Sequence, residues 1–255
     1  EVDVVVIGAG AVGENVADRT AQAGLETVIV EAELVGGECS YWACMPSKAL
    51  LRPAATLRAA RAVAGASEAV TGELDARAVF RRRDRATNNL SDASQVEWLE
   101  GAGIELLRGH GVLSGSKRVT VTASDGTRTE LAARHAVAVC TGSVPVLPEV
   151  PGLAEVEPWT SREATSASEV PERLAVIGAG VVGCELATAY ASLGSAVTII
   201  ARSGLLGGQE PFVAELVRES LEAAGVRVLS DTDVVKAHTA ERSVVLTLGD
   251  GTRVL

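Results

Sequence analysis

Two stretches of the chain carry the same succession of apolar and polar positions. Residues 4–32, VVVIGAGAVGENVADRTAQAGLETVIVEA, and residues 174–202, LAVIGAGVVGCELATAYASLGSAVTIIAR, each open on a short β-branched run that predicts a buried strand. Each then passes into an alanine-rich run of helical length, reaches a glycine at a helix end (Gly24, Gly194) and closes on a second apolar run. The predicted order is strand, turn, helix, strand, twice over. Further along, RVTVTASDGTRTEL (118–131) and SVVLTLGDGTRVL (243–255) alternate on both sides of an Asp-Gly pair, which predicts one hairpin per copy. The first copy continues through ARHAVAVCTGS, which reads as a further buried strand. The first copy is also longer between its glycine turn and its hairpin, and the excess predicts a helical insertion from about 36 to 100. ALLRPAATLRAARAVA is its clearest helical segment, and Pro53 is expected to kink or break it.

The turn after each first strand reads G-x-G-x-x-G: Gly8, Gly10 and Gly13, then Gly178, Gly180 and Gly183. In a dinucleotide fold the first glycine makes the tight turn, the second lets the backbone approach a pyrophosphate, and the third lets the helix pack on its strand. One such motif is weak. Two, each in its full context, predict an α/β protein of two Rossmann-like dinucleotide-binding domains, at 1–145 and 146–255. Each domain would combine a parallel sheet with an antiparallel β-meander. Glu31 ends the second strand of the first copy, placed to accept ribose hydroxyls of FAD or NAD. The second copy has Ala201 and Arg202 there, which points to NADPH, with NADH still possible. Because the second copy stops soon after its Asp-Gly turn, the chain is expected to be a fragment cut inside its second domain.

Hydrophobic residues make up 47% of the 255 and charged residues 22%, which suits a soluble globular protein with a core. A net charge of -10 argues against a nucleic-acid partner. The run RRRDR at 81–85 reads as the solvated face of a helix. No apolar run reaches the roughly 18 residues of a membrane helix, and no secretory signal is visible at the start. Four cysteines are too sparse for a disulfide-stapled scaffold, so the cytoplasm is the expected compartment.

The stretch GGECSYWACMPSK (36–48) places Cys39 and Cys44 five positions apart. A structural zinc site needs about four ligands, and none of His110, His135 and His238 lies near the pair. A permanent disulfide would close a tiny loop and gain little. A reversible disulfide explains more. Pro46 suits the first turn of the following helix, which puts Cys44 at a helix start, where the dipole favours an anionic sulfur, and Lys48 adds a positive charge. The plain alternative is two buried small residues. Cys140 and Cys184 read as buried and inert.

In order, the chain has an N-terminal G-x-G-x-x-G with Glu31 ending the next strand, G-G-x-C-x-x-x-x-C-x-P-S-K, a T-G-S strand end and a second G-x-G-x-x-G. It resembles the pyridine nucleotide-disulfide oxidoreductases, a group that includes dihydrolipoamide dehydrogenase, glutathione reductase and mercuric reductase. The resemblance implies FAD in the first domain, NAD(P)H in the second, and electrons passing from nicotinamide to flavin to disulfide to substrate. It makes Cys44 the flavin-facing thiol and Cys39 the one that meets the substrate. Lys48 would sit near the flavin, paired with Glu185, and Gly37, Gly111, Thr141 and Gly142 would contact FAD. The substrate would be a small-molecule disulfide or another electron acceptor. A homodimer is implied for the full-length protein, formed by a C-terminal domain that this chain lacks and that would supply an acid–base pair, so the chain alone is expected to be a poor catalyst. Glu38, Tyr41, Trp42 and Ala43 depart from the pattern of many members, and Tyr41 and Trp42 either line the substrate entry or pack. The alternative readings are a quinone or oxygen reductase and a cofactor-binding protein without a thiol substrate.

Overall fold

A computed structural model describes residues 1–241 and 243–254; Leu255, the end of the second predicted hairpin, lies outside them. The chain begins with β1 (Val2–Ile7), α1 (Ala11–Gln22) and β2 (Thr27–Glu31). Helices α2 (Gly37–Tyr41), α3 (Cys44–Arg61), α4 (Ala76–Ala86) and α5 (Ala93–Gly101) follow. Strands β3 (Glu105–Arg108), β4 (His110–Gly115), β5 (Arg118–Thr122) and β6 (Arg128–Val139) complete the first repeat. After α6 (Ser161–Ser166) come β7 (Arg173–Ile177), α7 (Val181–Ser192), β8 (Ala196–Ile200), α8 (Pro211–Ala223) and β9 (Arg227–Leu229). The last strands are β10 (Val234–Ala240), β11 (Ser243–Leu248) and β12 (Arg253–Val254). Two compact units result, one of residues 1–46 and 84–144, the other of 47–83 and 145–255. Residues 47–83, expected inside the insertion of the first domain, therefore pack with the second unit.

In the first unit one sheet has the order β3-β2-β1-β6-β5-β4. The strands β3, β2, β1 and the far half of β6 are parallel, with Val5 opposite Val28 and Val137. Alternate residues of β1 face opposite sides, as the pleat requires. Val4 and Val6 pack with Ala17, Ile29 and Leu99 on the side of α1 and α5. Val5 and Ile7 pack with Val119 and Val121 of the meander on the other side. The two faces together explain why the run is apolar throughout. Of the segment 133–143, read as a separate buried strand, residues 133–139 are instead the far half of the 12-residue β6, whose near half pairs antiparallel with β5. Beyond Ala132 its described ladder partner is β1 alone, so it is incompletely enclosed and Val139 stays 57% exposed.

The second unit repeats the arrangement on a smaller scale, with β7, β8 and β9 parallel and β10, β11 and β12 antiparallel. Its core joins Ala187 and Tyr190 of α7 to Ile199 of β8 and Leu221 of α8. A satellite core sets Leu50 of α3 against Val79 and Phe80 of α4 and Ala189 of α7. Among the described residues no helix is long and apolar enough to cross a membrane.

Two local expectations change. Helix α3 runs unbroken through Pro53. The proline forfeits one backbone hydrogen bond, but Leu50 and Ala54, 1% and 3% exposed, anchor the turns on either side. In the run 81–85, Arg81, Arg82 and Arg85 are solvated, but Arg83 is buried. Its guanidinium donates to the carbonyl oxygens of Thr165 and, at 3.1 Å, Ala167, and lies 5.3 Å from the Phe80 ring centre. Those carbonyls belong to the last turn of α6 and its exit, where unpaired oxygens and the helix dipole both call for a cation. Tyr190 adds its hydroxyl to the Ala164 carbonyl at 2.7 Å.

Replacing Arg83 with Met keeps the stem and strands those oxygens. Arg83→Met is expected to lower unfolding free energy by about 2 kcal/mol, read from urea denaturation, against about 0.5 kcal/mol or less for the exposed Arg82→Met.

Candidate functional site

The first G-x-G-x-x-G builds a turn with no room for a side chain at Gly8 or Gly13. Gly8 has φ +98°, and a Cβ there would come within 2.3 Å of the Cys140 carbonyl oxygen. A Cβ on Gly13 would meet the Gly8 carbonyl at 1.8 Å, so α1 lies directly on the turn. Gly10 forms a parallel bridge with Gly36, whose N–H donates to the Ala9 carbonyl at 2.7 Å. A Cβ on Gly37, at φ +57°, would sit 2.7 Å from the Gly10 Cα. The loop that leads to Cys39 is thereby laid against the start of α1. Gly178 and Gly183 repeat the turn, and a Cβ on Gly183 would come within 2.4 Å of the Gly178 carbonyl oxygen. Gly10 and Gly180 stand at the N-terminal caps of α1 and α7, and neither helix has a side chain capping its first N–H groups.

Glu31 ends β2. One carboxylate oxygen accepts the Ala9 N–H at 2.7 Å and the other the Glu33 N–H at 2.8 Å, which fixes its orientation and leaves lone pairs on both oxygens. In the second unit Ala201 is buried, and Arg202 is 88% exposed with its Nε 4.0 Å from the Asp233 carboxylate. Gly111 packs against Ile7 and Val30, each 3.1 Å from where its Cβ would be, so close packing accounts for that glycine. Thr141 and Gly142 follow β6 and are exposed.

Cys39 lies on the short α2 and Cys44 is the first residue of α3, with Pro46 in its first turn, where the missing N–H loses nothing. Cys39 is half-buried, Cys44 is exposed, and both are free thiols. A hydrogen bond to Cys44, with partial burial and the neighbouring Cys44 and Glu14 charges, pushes the Cys39 thiol up to about 11. Glu14, in the first turn of α1, is itself shifted upward by burial and by the charge of Glu31.

The loop ahead of Cys39 is clamped from its far side. Tyr41 is 1% exposed; its hydroxyl donates to the Val35 carbonyl at 3.0 Å, with the Ser91 carbonyl 3.4 Å away. The Val35 N–H donates to Asp92 at 2.9 Å. Arg108 bonds the same Asp92 oxygen at 2.5 Å and the Glu33 carbonyl at 2.7 Å. Burial works against the Asp92 carboxylate, but Arg108 and the Val35 N–H outweigh it and hold Asp92 below its ordinary range. Tyr41 is thus a packing residue, and Trp42 meets its ring edge-on at 5.7 Å. Sequence reasoning missed Asp92 and Arg108, since the loop they hold lies 57 and 75 residues away and no local motif marks them.

Lys48 lies one turn beyond Cys44 on α3. Its ammonium is 2.7 Å from both carboxylate oxygens of Glu185 on α7, a contact within the second unit. The Glu185 side chain is 28% exposed, and it has the cation that a partly enclosed carboxylate requires. Cys184 is buried, with its sulfur 3.5 Å from the Ala179 carbonyl, whereas Cys140, expected buried, is only half-covered because it lies past the last β6 pairing. Burial shifts both thiols upward. Among the described residues no group of three or more His, Cys, Asp or Glu side chains could hold a metal ion.

A thiol held up to about 11 is almost wholly protonated near neutrality, and only a thiolate is alkylated quickly. Iodoacetamide at pH 8 is expected to label the exposed Cys44 at least about tenfold faster than Cys39, read by peptide mass spectrometry, with Cys39 labelling rising as pH approaches 11. Equal rates would remove the proton from the position assigned to it.

A family model described as pyridine nucleotide-disulphide oxidoreductase matches residues 2–255. Mercuric reductase from Acidithiobacillus ferrooxidans is 34% identical over 254 residues, 98% of this chain and 46% of its own length. Dihydrolipoyl dehydrogenase from Chlorobaculum tepidum is 38% identical over 234 residues, 89% of this chain and 48% of its own. The HOCl-induced flavoprotein disulfide reductase RclA from Escherichia coli superposes with a TM-score of 0.81 at 22% identity, over 99% of this chain and 54% of that structure, which supports the fold. The chain spans about half the length of these relatives. With the family model running over the entire repeat and the curated relatives above 30% identity, the chain belongs to the pyridine nucleotide-disulphide oxidoreductase family.

Proposed function

We propose that the whole protein uses FAD and NAD(P)H to reduce a disulfide or another two-electron acceptor through Cys39 and Cys44. The observation that carries this reading is the pair of hydrogen-bonded free thiols at the start of α3. FAD suits the residues of the first unit. The start of α1 has no side-chain cap, the backbones of Gly10, Gly36 and Gly37 meet without side chains, and Glu31 has lone pairs to spare. The α1 start with Gly8, Gly10 and Gly13 would hold the pyrophosphate, Glu31 the ribose, and Gly37, Thr141 and Gly142 the remainder. When bound, the flavin supplies a two-electron relay between nicotinamide and the thiols.

The chain's own two thiols carry the sulfur chemistry. Opening the Cys39–Cys44 disulfide takes two electrons and two protons and leaves the dithiol. In return, the Cys39 sulfur gives up its proton and attacks the acceptor disulfide, forming a mixed disulfide and releasing one thiolate. Cys44 then attacks the Cys39 sulfur, releases the second thiolate and closes the protein disulfide; the two thiol protons leave with the products. The hydrogen bond to Cys44 and partial burial push the Cys39 thiol upward, so its proton leaves less readily than that of an ordinary thiol. In the second unit, the exposed Arg202 beside the small Ala201 favours NADPH over NADH. A homodimer is the assembly proposed for the full-length protein.

The relatives named for mercuric ion and dihydrolipoamide indicate which acceptors to compare. In the full-length protein, NADPH-driven rates on lipoamide, glutathione disulfide, mercuric ion and quinones should favour a thiol-dependent acceptor, with Cys44→Ser losing at least about a hundredfold at unchanged flavin content. Turnover on quinone or oxygen alone, indifferent to Cys44, would replace this reading with a quinone or oxygen reductase.

A further inference from the structure

We infer that Asp233 sets how strongly the second nucleotide site discriminates for or against a ribose 2′-phosphate, an inference that rests on reading that site as the nicotinamide nucleotide site. In the first unit the strand-end carboxylate is supplied by Glu31 itself. In the second unit the matching residue is Ala201, 6% exposed, with no group to offer a hydroxyl. A different element fills the gap. The Ala201 carbonyl accepts the Thr232 N–H at 3.0 Å, and its N–H donates to the Leu229 carbonyl at 2.9 Å, so the loop after β9 is stitched beside the end of β8.

That loop is fixed at several points. Arg218 of α8 donates to the Ser230 hydroxyl at 2.7 Å, the Thr232 hydroxyl donates to the Ser230 carbonyl at 2.8 Å, and the Asp233 carbonyl accepts the Gly249 N–H at 2.9 Å. Asp233 therefore has an anchored backbone, and its carboxylate lies 4.0 Å from the Arg202 guanidinium. The strand end presents a cation and an anion together. A 2′-hydroxyl can donate to the carboxylate, as it would to an acid on the strand itself. A 2′-phosphate gains the guanidinium but meets a like charge, and the partial neutralisation of Arg202 weakens its pull. Asp233 thus moderates the preference that Arg202 creates.

The test is calorimetric titration of the full chain, in saturating FAD and low salt, with ADP-ribose and with its 2′-phosphate. Asp233→Asn and Asp233→Ala are expected to shift the affinity ratio toward the 2′-phosphate ligand by about three- to fivefold, and about 0.3 M salt should shrink the shift. An unchanged or reduced ratio in both variants, with wild-type binding of either ligand intact, overturns the role of Asp233 and leaves the nucleotide site standing. Failure of the wild type to bind either ligand saturably overturns both.

Discussion

Backbone lies against backbone where Gly10 faces Gly36 and Gly37, and the arrangement of the first unit depends on that contact. It brings the loop before Cys39 onto the start of α1, so the segment that joins the acidic end of β2 to the thiol pair lies against the uncapped helix end. From the other side the same segment is held by Tyr41, Asp92 and Arg108. Three bare glycines on one face and a buried tyrosine with an ion pair on the other leave residues 33–37 little freedom. A cysteine placed two residues beyond such a loop inherits its precision.

Much of this was legible in the sequence, for identifiable reasons. The strand–turn–helix repeat, the Asp-Gly hairpins and the start of α3 at Cys44 are all written in residues a few positions apart, where spacing is a direct record of geometry. What escaped was nonlocal. A charge run such as RRRDR has the same appearance whether or not one guanidinium finds carbonyls in a distant helix, and only the fold brings Thr165 and Ala167 to Arg83. Tyr41 left two readings open because its hydroxyl partner is a backbone carbonyl, which has no sequence signature. The far half of β6 read as a separate strand because its change of partners, from β5 to β1, occurs without a turn residue.

The two repeats also show how a duplicated scaffold diverges. The third turn glycine, Gly13 and Gly183, is kept in both copies because a side chain there would strike the carbonyl of the first glycine in each. The strand ends are not. One copy keeps its acid on the strand and binds it to the local backbone; the other has a small residue there and a mixed pair of charges in water. Packing constrains the first feature, whereas solvent tolerates change in the second.

Arg83 gives the chain an order in time as well as in space. Its acceptors lie 82 and 84 residues further along, and at a synthesis rate of roughly 5–20 residues per second they emerge several seconds after the guanidinium does. Until then, α4 carries a charge that no apolar surface can accept, and water is its only good solvent. The hydrogen bonds that permit burial of the guanidinium can form only once the end of α6 is present.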